Sequence, residues 1–302
     1  MNQTIAERQR SLDNQRLFKA FSWHYRRAKA WRALFALGTI GLAAASPIMV
    51  LCYPSSSKWL ASLAAVWLLA GRLAMQGLER THRTEGAKIH DKFDRNLFDL
   101  DWNRAVAGPP PAEEDITDAA SRFRGDLTRI NDWYPDTRDS ARPAAVLLCQ
   151  RSSAVWGRRD HRAYASFLVV ISVAWLVAGL VFAVVRRMSL VDYLVSLFLP
   201  SQPAFVDAIE LIQFHFKQAR SKGNIEGKLD EMLEQFLNRR AIKDRDIEMI
   251  QEQLFQFRRD GAYVPTLFYK IRRRRGQLGM QEAADRYLDR MHHKTVSNSE
   301  PN

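Results

Sequence analysis

The sequence predicts an all-α fold, a helical membrane protein with two transmembrane hairpins and a cytoplasmic helical module. The first observation behind this prediction is the run 163–185, AYASFLVVISVAWLVAGLVFAVV, which contains no charged residue. Its length matches the roughly 20 residues that a helix needs to cross a hydrocarbon core about 30 Å thick. The second is the separation of apolar blocks from charged blocks, which a mean hydropathy of −0.30 conceals. The third is the helical spacing of the apolar residues inside the charged blocks.

Four apolar segments occur in two pairs, and each pair predicts one hairpin. The segments cover residues 31–53, 59–78, 163–185 and about 190–209. The fourth segment contains Asp192, Pro200 and Pro203, and proline removes a backbone donor from a helix. Three alternatives therefore stay open for the fourth segment: a kinked span, a re-entrant hairpin and an interfacial helix.

The hairpins divide the chain into five predicted parts. These are a basic cytoplasmic leader (1–30), hairpin 1 (31–78), a cytoplasmic helical block (79–162), hairpin 2 (163–209) and a second cytoplasmic block (210–302). The chain up to Arg32 holds eight Lys and Arg residues and two acidic ones, whereas the turn 54–58 holds only Lys58. Because basic residues are retained on the cytoplasmic side, both termini are predicted to be cytoplasmic. Arg186 and Arg187 then lie in the outer turn of hairpin 2, so an external carboxyl-terminal block stays the alternative.

Both cytoplasmic blocks are predicted to be helical, because apolar residues recur in them every three or four positions. The stripes are Ile89, Phe93, Leu97 and Leu100; Ile225, Leu229, Met232 and Phe236; and Ile247, Ile250, Leu254 and Phe257. Stripes of this kind usually form the core between packed helices, and we expect the two blocks to share one module.

The sequence contains no catalytic or metal-binding motif, neither a Gly-rich phosphate loop nor an HExxH helix nor a nucleophile elbow. The two cysteines, Cys52 and Cys149, are too far apart for a metal-ligand spacing. The carboxylates of the first block are expected to be solvated. They are Asp91, Asp94, Asp99 and Asp101. We therefore expect no enzymatic activity, no cofactor and no metal, and the near balance of charge in this block argues against polymeric nucleic acid as a partner.

Short strings in the two cytoplasmic blocks resemble a known family. In chain order they are 90–94 (HDKFD), 97–98 (LF), 101–103 (DWN), 133–135 (WYP), 149–151 (CQR), 251–255 (QEQLF), 258–259 (RR), 264–265 (VP) and 268–269 (FY). Their order, and their placement against four apolar segments, resemble the SMODS-associated four-transmembrane family of pore-forming effectors in cyclic-oligonucleotide antiphage systems.

This resemblance implies a function in antiviral defence by abortive infection. A cyclic oligonucleotide would trigger the membrane effector to oligomerise and to permeabilise the bacterial inner membrane. The implied partners are the lipid bilayer, further copies of the chain and the cyclic oligonucleotide. Two alternatives are a membrane-anchored scaffold whose cytoplasmic helices bind a protein partner and, with less support, an enzyme that acts on lipid.

Basic and aromatic side chains are the predicted binding residues for the anionic signal, because guanidinium groups grip phosphates and aromatic rings stack on bases. They are Arg151, Tyr269, Arg272, Arg273, Arg274 and Arg275. A basic patch that faces lipid headgroups is the alternative interpretation of the arginine run.

The fourth segment is the predicted lining of the conducting path, because its prolines free backbone carbonyls that need protein or water as partners. The predicted pore residues are Asp192, Ser196, Pro200, Gln202 and Pro203. Arg72 in the second segment is the competing position, although an arginine near the end of a span usually reaches the interface with its side chain.

Overall fold

A computed structural model describes residues 3–131, 133–138, 140–261 and 263–296 of the chain. At some helical positions, including 196, 200, 203, 269 and 272–277, it describes the backbone alone. Within the described residues the secondary structure is helical, with no strand. The predicted all-α fold is confirmed.

Eleven α-helices cover most of the described chain. They are α1 (Ile5–Gln9), α2 (Leu12–Cys52), α3 (Ser57–Ala70), α4 (Gln76–Phe98), α5 (Arg104–Ala107), α6 (Glu113–Ser121), α7 (Arg142–Val185), α8 (Leu190–Tyr193), α9 (Leu199–Leu237), α10 (Asp244–Asp260) and α11 (Thr266–Val296). Short 3₁₀ helices occur at Pro54–Ser56 and Leu127–Ile130, and π-helical turns join α3 to α4 at Gly71–Met75 and α8 to α9 at Leu194–Phe198.

Two helical stretches of the described chain are long and apolar enough to cross a membrane, judged by length and composition. They are Lys58–Phe98 and Arg142–Val185, which contain the second and third predicted segments. The first predicted segment is helical within α2, and the fourth is helical from Leu190 onward. A re-entrant hairpin needs a chain reversal, and the helical backbone from Leu190 to Leu237 has none.

The chain forms two compact units. Unit 1 consists of Met1–Arg26, His82–Asp160 and Gln218–Asn302, and unit 2 consists of Arg27–Thr81 and His161–Lys217. The helices α2, α4, α7 and α9 each contribute residues to both units.

Unit 1 is built around one hydrophobic core to which helices from every part of the unit contribute. Fully buried members include Phe18 and Phe21 from α2, Phe93 and Leu97 from α4, Leu147 from α7, Leu229 from α9 and Leu254 from α10. The segment predicted as a basic leader thus supplies two of the largest buried side chains of the unit. Phe93, Leu229 and Leu254 belong to the predicted stripes, and the core interpretation of those stripes is correct.

Close packing of glycines against aromatic rings joins the helices of hairpin 1 within unit 2. A Cβ atom added at Gly38 would lie 2.0 Å from the ring of Trp67, and one at Gly71 would lie 2.0 Å from the ring of Phe35. Trp67 also donates its Nε1–H to the hydroxyl of Thr39 over 3.3 Å. Each helix therefore places a ring in the space that a glycine of the other helix leaves, as small residues allow in membranes.

The replacement Gly38→Val should destabilise hairpin 1 by about 1–3 kcal/mol, because the indole of Trp67 must move and overpacking has this cost. Gly41→Val is the matched control, since it lies on the same helix and no atom lies within 4 Å of its added Cβ. Thermal unfolding of the detergent-solubilised variants measures the difference. Equal melting temperatures for the two variants would contradict the packing described here.

Candidate functional site

Polar side chains on one face of α4 point into the core of unit 1. His90, Asp91, Asp94 and Arg95 follow one another at spacings that place them on neighbouring positions of one helix face. Asp91 and Asp94 are both 0% exposed. The expectation that these two carboxylates are solvated is wrong, whereas Asp99 is exposed as expected.

Asp94 is surrounded by three donors from distant parts of the chain. Tyr134 donates its hydroxyl to Oδ1 over 2.8 Å. Gln251 and Arg258 of α10 donate to Oδ2 over 3.0 Å and 2.6 Å. The carboxylate therefore ties the loop after α6 and the helix α10 to α4.

Asp91 extends this network on its other side. Arg95, one turn further on α4, donates its Nε–H to Asp91 over 2.7 Å, and the amide of Gln251 donates to Asp91 over 2.8 Å. Gln150 of α7 donates to the backbone carbonyl of Ile247 over 3.1 Å and to the side-chain oxygen of Gln251 over 3.3 Å. Gln251 is therefore the residue at which α4, α7 and α10 meet.

Burial and charge act differently on the two carboxylates. Burial would raise the pKa of Asp94, but the guanidinium of Arg258, with His90, Gln251 and Tyr134, holds that pKa below its ordinary value. For Asp91, burial outweighs the influence of Arg95, and its pKa is raised. Asp94 is thus the charged centre of the network, since its negative charge has a dedicated cation.

His90 lies at the apolar edge of the network. Its ring stacks on Phe21 with centroids 4.2 Å apart, and its Nδ1 lies 3.2 Å from the hydroxyl oxygen of Tyr25. Burial, followed by the positive charge of Arg258, lowers the pKa of His90 to about 3. The ring is therefore neutral at physiological pH.

The arrangement is suited to fixing one conformation of unit 1. The thiol of Cys149 is buried and its pKa is well above the ordinary value, so it is not a nucleophile. No group of three or more metal-ligating side chains is found among the described residues. Asp91, Asp94 and Gln251 have hydrogen-bond partners inside the network, and buried contacts of this kind favour one packing over partly open ones.

Most strings that carry the family resemblance supply members of this network. HDKFD contributes His90, Asp91 and Asp94, WYP contributes Tyr134, and CQR contributes Gln150. QEQLF contributes Gln251, and the following arginine pair contributes Arg258. The signal available in the sequence was the position of Asp94 directly after Phe93, inside a stripe that had to face the core.

Arg151, a predicted ligand-binding residue, pairs with acidic residues of α9. Its Nε lies 2.5 Å from Oδ1 of Asp230, and its Nη2 lies 3.8 Å from Glu226. Tyr287 of α11 donates its hydroxyl to the same oxygen of Asp230 over 2.9 Å and presents its ring to the guanidinium of Arg151 at 5.4 Å. An anion that binds Arg151 would have to replace these carboxylates.

The other predicted ligand-binding residues lie at the opposite end of α11. The backbone of Tyr269 and of the run Arg272–Arg275 is helical, and the side chains lie outside the described part of the structure. Arg275 precedes Tyr287 by twelve residues, which corresponds to roughly 18 Å at 1.5 Å per residue. The structure therefore does not bring Arg151 and the arginine run together, and each stays a separate prediction.

A polar cleft of about 400 Å³ lies beside the network in unit 1. Its charged lining residues are Arg95, Asp99, Asp101, Arg142, Asp244 and Glu248. Arg142 already bonds Asp244 and two backbone carbonyls, and Arg95 bonds Asp91. With four carboxylates and two engaged guanidiniums, this cleft repels an anionic ligand.

The predicted pore residues are only partly described. Asp192 is exposed near the start of α8, where its carboxylate accepts the hydroxyl of Ser189 over 2.7 Å. Gln202 is exposed on α9. The side chains of Ser196, Pro200 and Pro203 lie outside the described part of the chain, so their lining role stays a prediction.

The fold and the network define an all-α protein in which long apolar helices are joined to a helical unit with a charged core. The sequence profile described as the SMODS-associating 4TM effector domain matches residues 3–287, and the chain belongs to this family of membrane effectors. The predicted family is thereby confirmed. A probable CBASS effector molecule of Bacillus cereus (strain VD146) is 28% identical over 212 residues, which cover 67% of this chain and 70% of that protein. No solved structure matches the chain.

Replacing Asp94 by Asn should destabilise unit 1 by about 3–5 kcal/mol, because Arg258 would keep a buried charge without its counter-ion. Asp99→Asn is the matched control, since it makes the same chemical change at an exposed position of the same segment and should cost less than about 0.5 kcal/mol. Urea unfolding of both purified variants measures the difference. An equal loss of stability in the two variants would mean that the Asp94–Arg258 pair has no special weight.

Proposed function

We propose that this protein is the terminal effector of a bacterial antiphage system, which a cyclic oligonucleotide triggers to oligomerise and to permeabilise the inner membrane. The observation that carries the proposal is the joining of two very different units in one chain. Unit 2 exposes long apolar helices, and unit 1 holds a charged network buried in its core. The family and the relative's designation as a probable CBASS effector support the antiphage role.

The buried network is the element that we expect to give two states. Opening unit 1 at α10 separates Asp94 from Arg258 and leaves two buried charges without their counter-ions. Partly opened states of unit 1 are therefore high in free energy. A ligand shifts such an equilibrium only by its difference in affinity for the two states. The signal would therefore act by stabilising an alternative packing of unit 1 in which the apolar helices of unit 2 associate with those of other copies.

The proposed orientation places unit 1 and both termini in the cytoplasm, where the signal is made. The excess of basic residues before the first apolar segment supports this orientation. In this view the effector has no enzymatic activity, and membrane leakage is the whole of its output.

Cells that express the chain together with its cognate nucleotidyltransferase should lose their membrane potential, because an assembled pore short-circuits the ion gradients. Uptake of a potential-sensitive dye measures this loss. A nucleotidyltransferase without catalytic activity is the control and should leave the potential unchanged. Retention of the potential in the presence of the signal, with a partner protein bound to unit 1, would support the membrane-anchored scaffold instead.

We propose that Arg151 takes part in recognition of the signal by exchanging its carboxylate partners for a phosphate. Arg151→Ala should weaken binding of a labelled cyclic oligonucleotide about ten- to hundredfold, which corresponds to the loss of one charge-assisted contact. Asp230→Asn should strengthen binding, since it removes the competing carboxylate. Arg290→Ala is the matched control, because Arg290 also pairs with a carboxylate of α9 and lies 5.7 Å from the ring of Tyr287. Equal effects of the two arginine variants would assign Arg151 a structural role only.

We propose that the segment from Asp192 to Ala204 lines the conducting path of the assembled effector. Single cysteines introduced along this segment should react with a water-soluble thiol reagent in activated cells and stay unreactive without the signal. The exposed native Cys52 must first be replaced by Ser, whereas Cys149 is buried. Reaction along α3 and the following π-helical turn in place of this segment would move the pore to the helix that carries Arg72.

A further inference from the structure

Each hairpin has a pair of histidines that joins its two helices at the same end. The first pair is His24 of α2 and His82 of α4, whose Nδ1 atoms lie 3.2 Å apart. The second pair is His161 of α7 and His215 of α9, whose Nδ1 atoms lie 2.7 Å apart. In each pair one histidine precedes the first apolar segment of its hairpin and the other follows the second segment.

Two imidazole nitrogens at hydrogen-bond distance need one proton between them. A neutral imidazole has one donor nitrogen and one acceptor nitrogen, so a neutral ring can donate to a neutral partner. When both rings are protonated, every ring nitrogen is a donor and two positive charges face each other. The contact is therefore incompatible with double protonation.

The surroundings of the two pairs are largely aromatic. The indole of Trp23 lies edge-on to His24 and His82, with centroids 4.8 Å and 5.3 Å away. Asp118 is the acidic group that acts on His24. The guanidinium of Arg122 lies 5.5 Å from the ring of Trp23.

The second pair is more deeply enclosed, since both of its rings are buried. Tyr164 lies edge-on to His215 at 4.9 Å, and Phe214 lies edge-on to it at 6.1 Å. The nearest charged neighbours along the chain are the buried Asp160 and the exposed Arg162 on either side of His161. Tyr164 is a titratable group in ring contact with His215, and Arg32 of α2 is a charged group that acts on Tyr164.

We propose that the two histidine pairs are proton-sensitive latches that hold the helices of each hairpin together and release them when the cytoplasm becomes acidic. The consequence of this inference rests on the proposed function. A leak that admits protons would acidify the cytoplasm and thereby open further latches. Membrane leakage would then reinforce itself once it has begun.

The sign and size of the effect follow for the first pair. Burial, and then the charge of His82, lower the pKa of His24 from 6.5 to about 4, against the opposing influence of Asp118. The closed latch therefore excludes a proton that the open latch binds, so its stability is complete above about pH 6.5 and is lost as the pH falls toward 4. Between about pH 7.5 and about pH 5.5, protonation of His24 shifts the equilibrium toward the open latch roughly tenfold.

Hydrogen exchange on the full-length protein in lipid nanodiscs tests the latch without using leakage as the readout. After correction for the intrinsic rate, protection of the amides around the first pair should fall about tenfold between these two pH values. Protection around the second pair should also fall, because its Nδ1 contact likewise excludes double protonation. Unchanged protection in the native protein would overturn the inference.

Variants give the second arm of the test. His24→Asn combined with His82→Asn keeps a donor and an acceptor in place and removes both titrations, so protection around this pair should no longer depend on pH. His292→Asn combined with His293→Asn is the matched control at two exposed positions of α11, and it should keep the full pH response. Retention of that response in the His24 and His82 variant would overturn the inference. If protection around the histidine pairs falls with pH but dye-loaded vesicles do not leak, the inference is upheld and the proposed function is contradicted.

Discussion

The ion pair between Asp94 and Arg258 is the interaction on which the arrangement of unit 1 depends. A carboxylate that is 0% exposed is tolerated only with a counter-ion and further donors, since the uncompensated charge costs several kcal/mol. The two residues lie on α4 and α10, and Gln251 spans from Asp94 to Asp91 in the same contact. The position of α10 is therefore set by charge as well as by packing. Sliding α10 along α4 would expose one of the two charges to solvent or leave it without a counter-ion.

An apolar contact at this place would have given comparable or greater stability, as buried ion pairs are rarely better than well-packed hydrophobic residues. What the network provides is an abrupt change between made and broken contacts, because hydrogen bonds and ion pairs are lost over a short distance. Under the proposed function, this property would keep the effector inactive until its signal binds. Arg151 of α7 makes a similar set of contacts at a second place. It pairs with Asp230 and Glu226 of α9 and contacts the ring of Tyr287 of α11.

The core stripes could be predicted from the sequence, and so could the apolar segments inside the two candidate spans Lys58–Phe98 and Arg142–Val185, because both depend on local composition and spacing alone. The run 163–185 is identified by its length, and Phe93, Leu229 and Leu254 are identified by their helical spacing. The partners of Asp94 could not be predicted in this way, since Gln251 and Arg258 lie 157 and 164 residues further along the chain. Phe18 and Phe21 were hidden for a related reason, because the basic residues around them suggested a leader and the helices that cover them come later in the chain.

The two hairpins differ in how firmly their helices pack. In hairpin 1, rings of Trp67 and Phe35 occupy the space over Gly38 and Gly71 at distances that leave no room for a methyl group. In hairpin 2, an added Cβ at Gly179 would make only an ordinary contact with Tyr193 at 3.7 Å. An open cavity of about 200 Å³ lies between these helices and Ala43 of α2, lined by Trp175, Phe182, Tyr193 and Phe198 among others. Ser201 lies at this cavity and directs its hydroxyl to backbone carbonyls of its own helix at 2.9 Å, which satisfies it in the present packing. A π-helical turn, a feature common at functional sites, interrupts the second helix of both hairpins, at Gly71–Met75 and at Leu194–Phe198. The glycine contacts therefore indicate that the helices of hairpin 1 approach more closely at Gly38 and Gly71 than those of hairpin 2 do at Gly179.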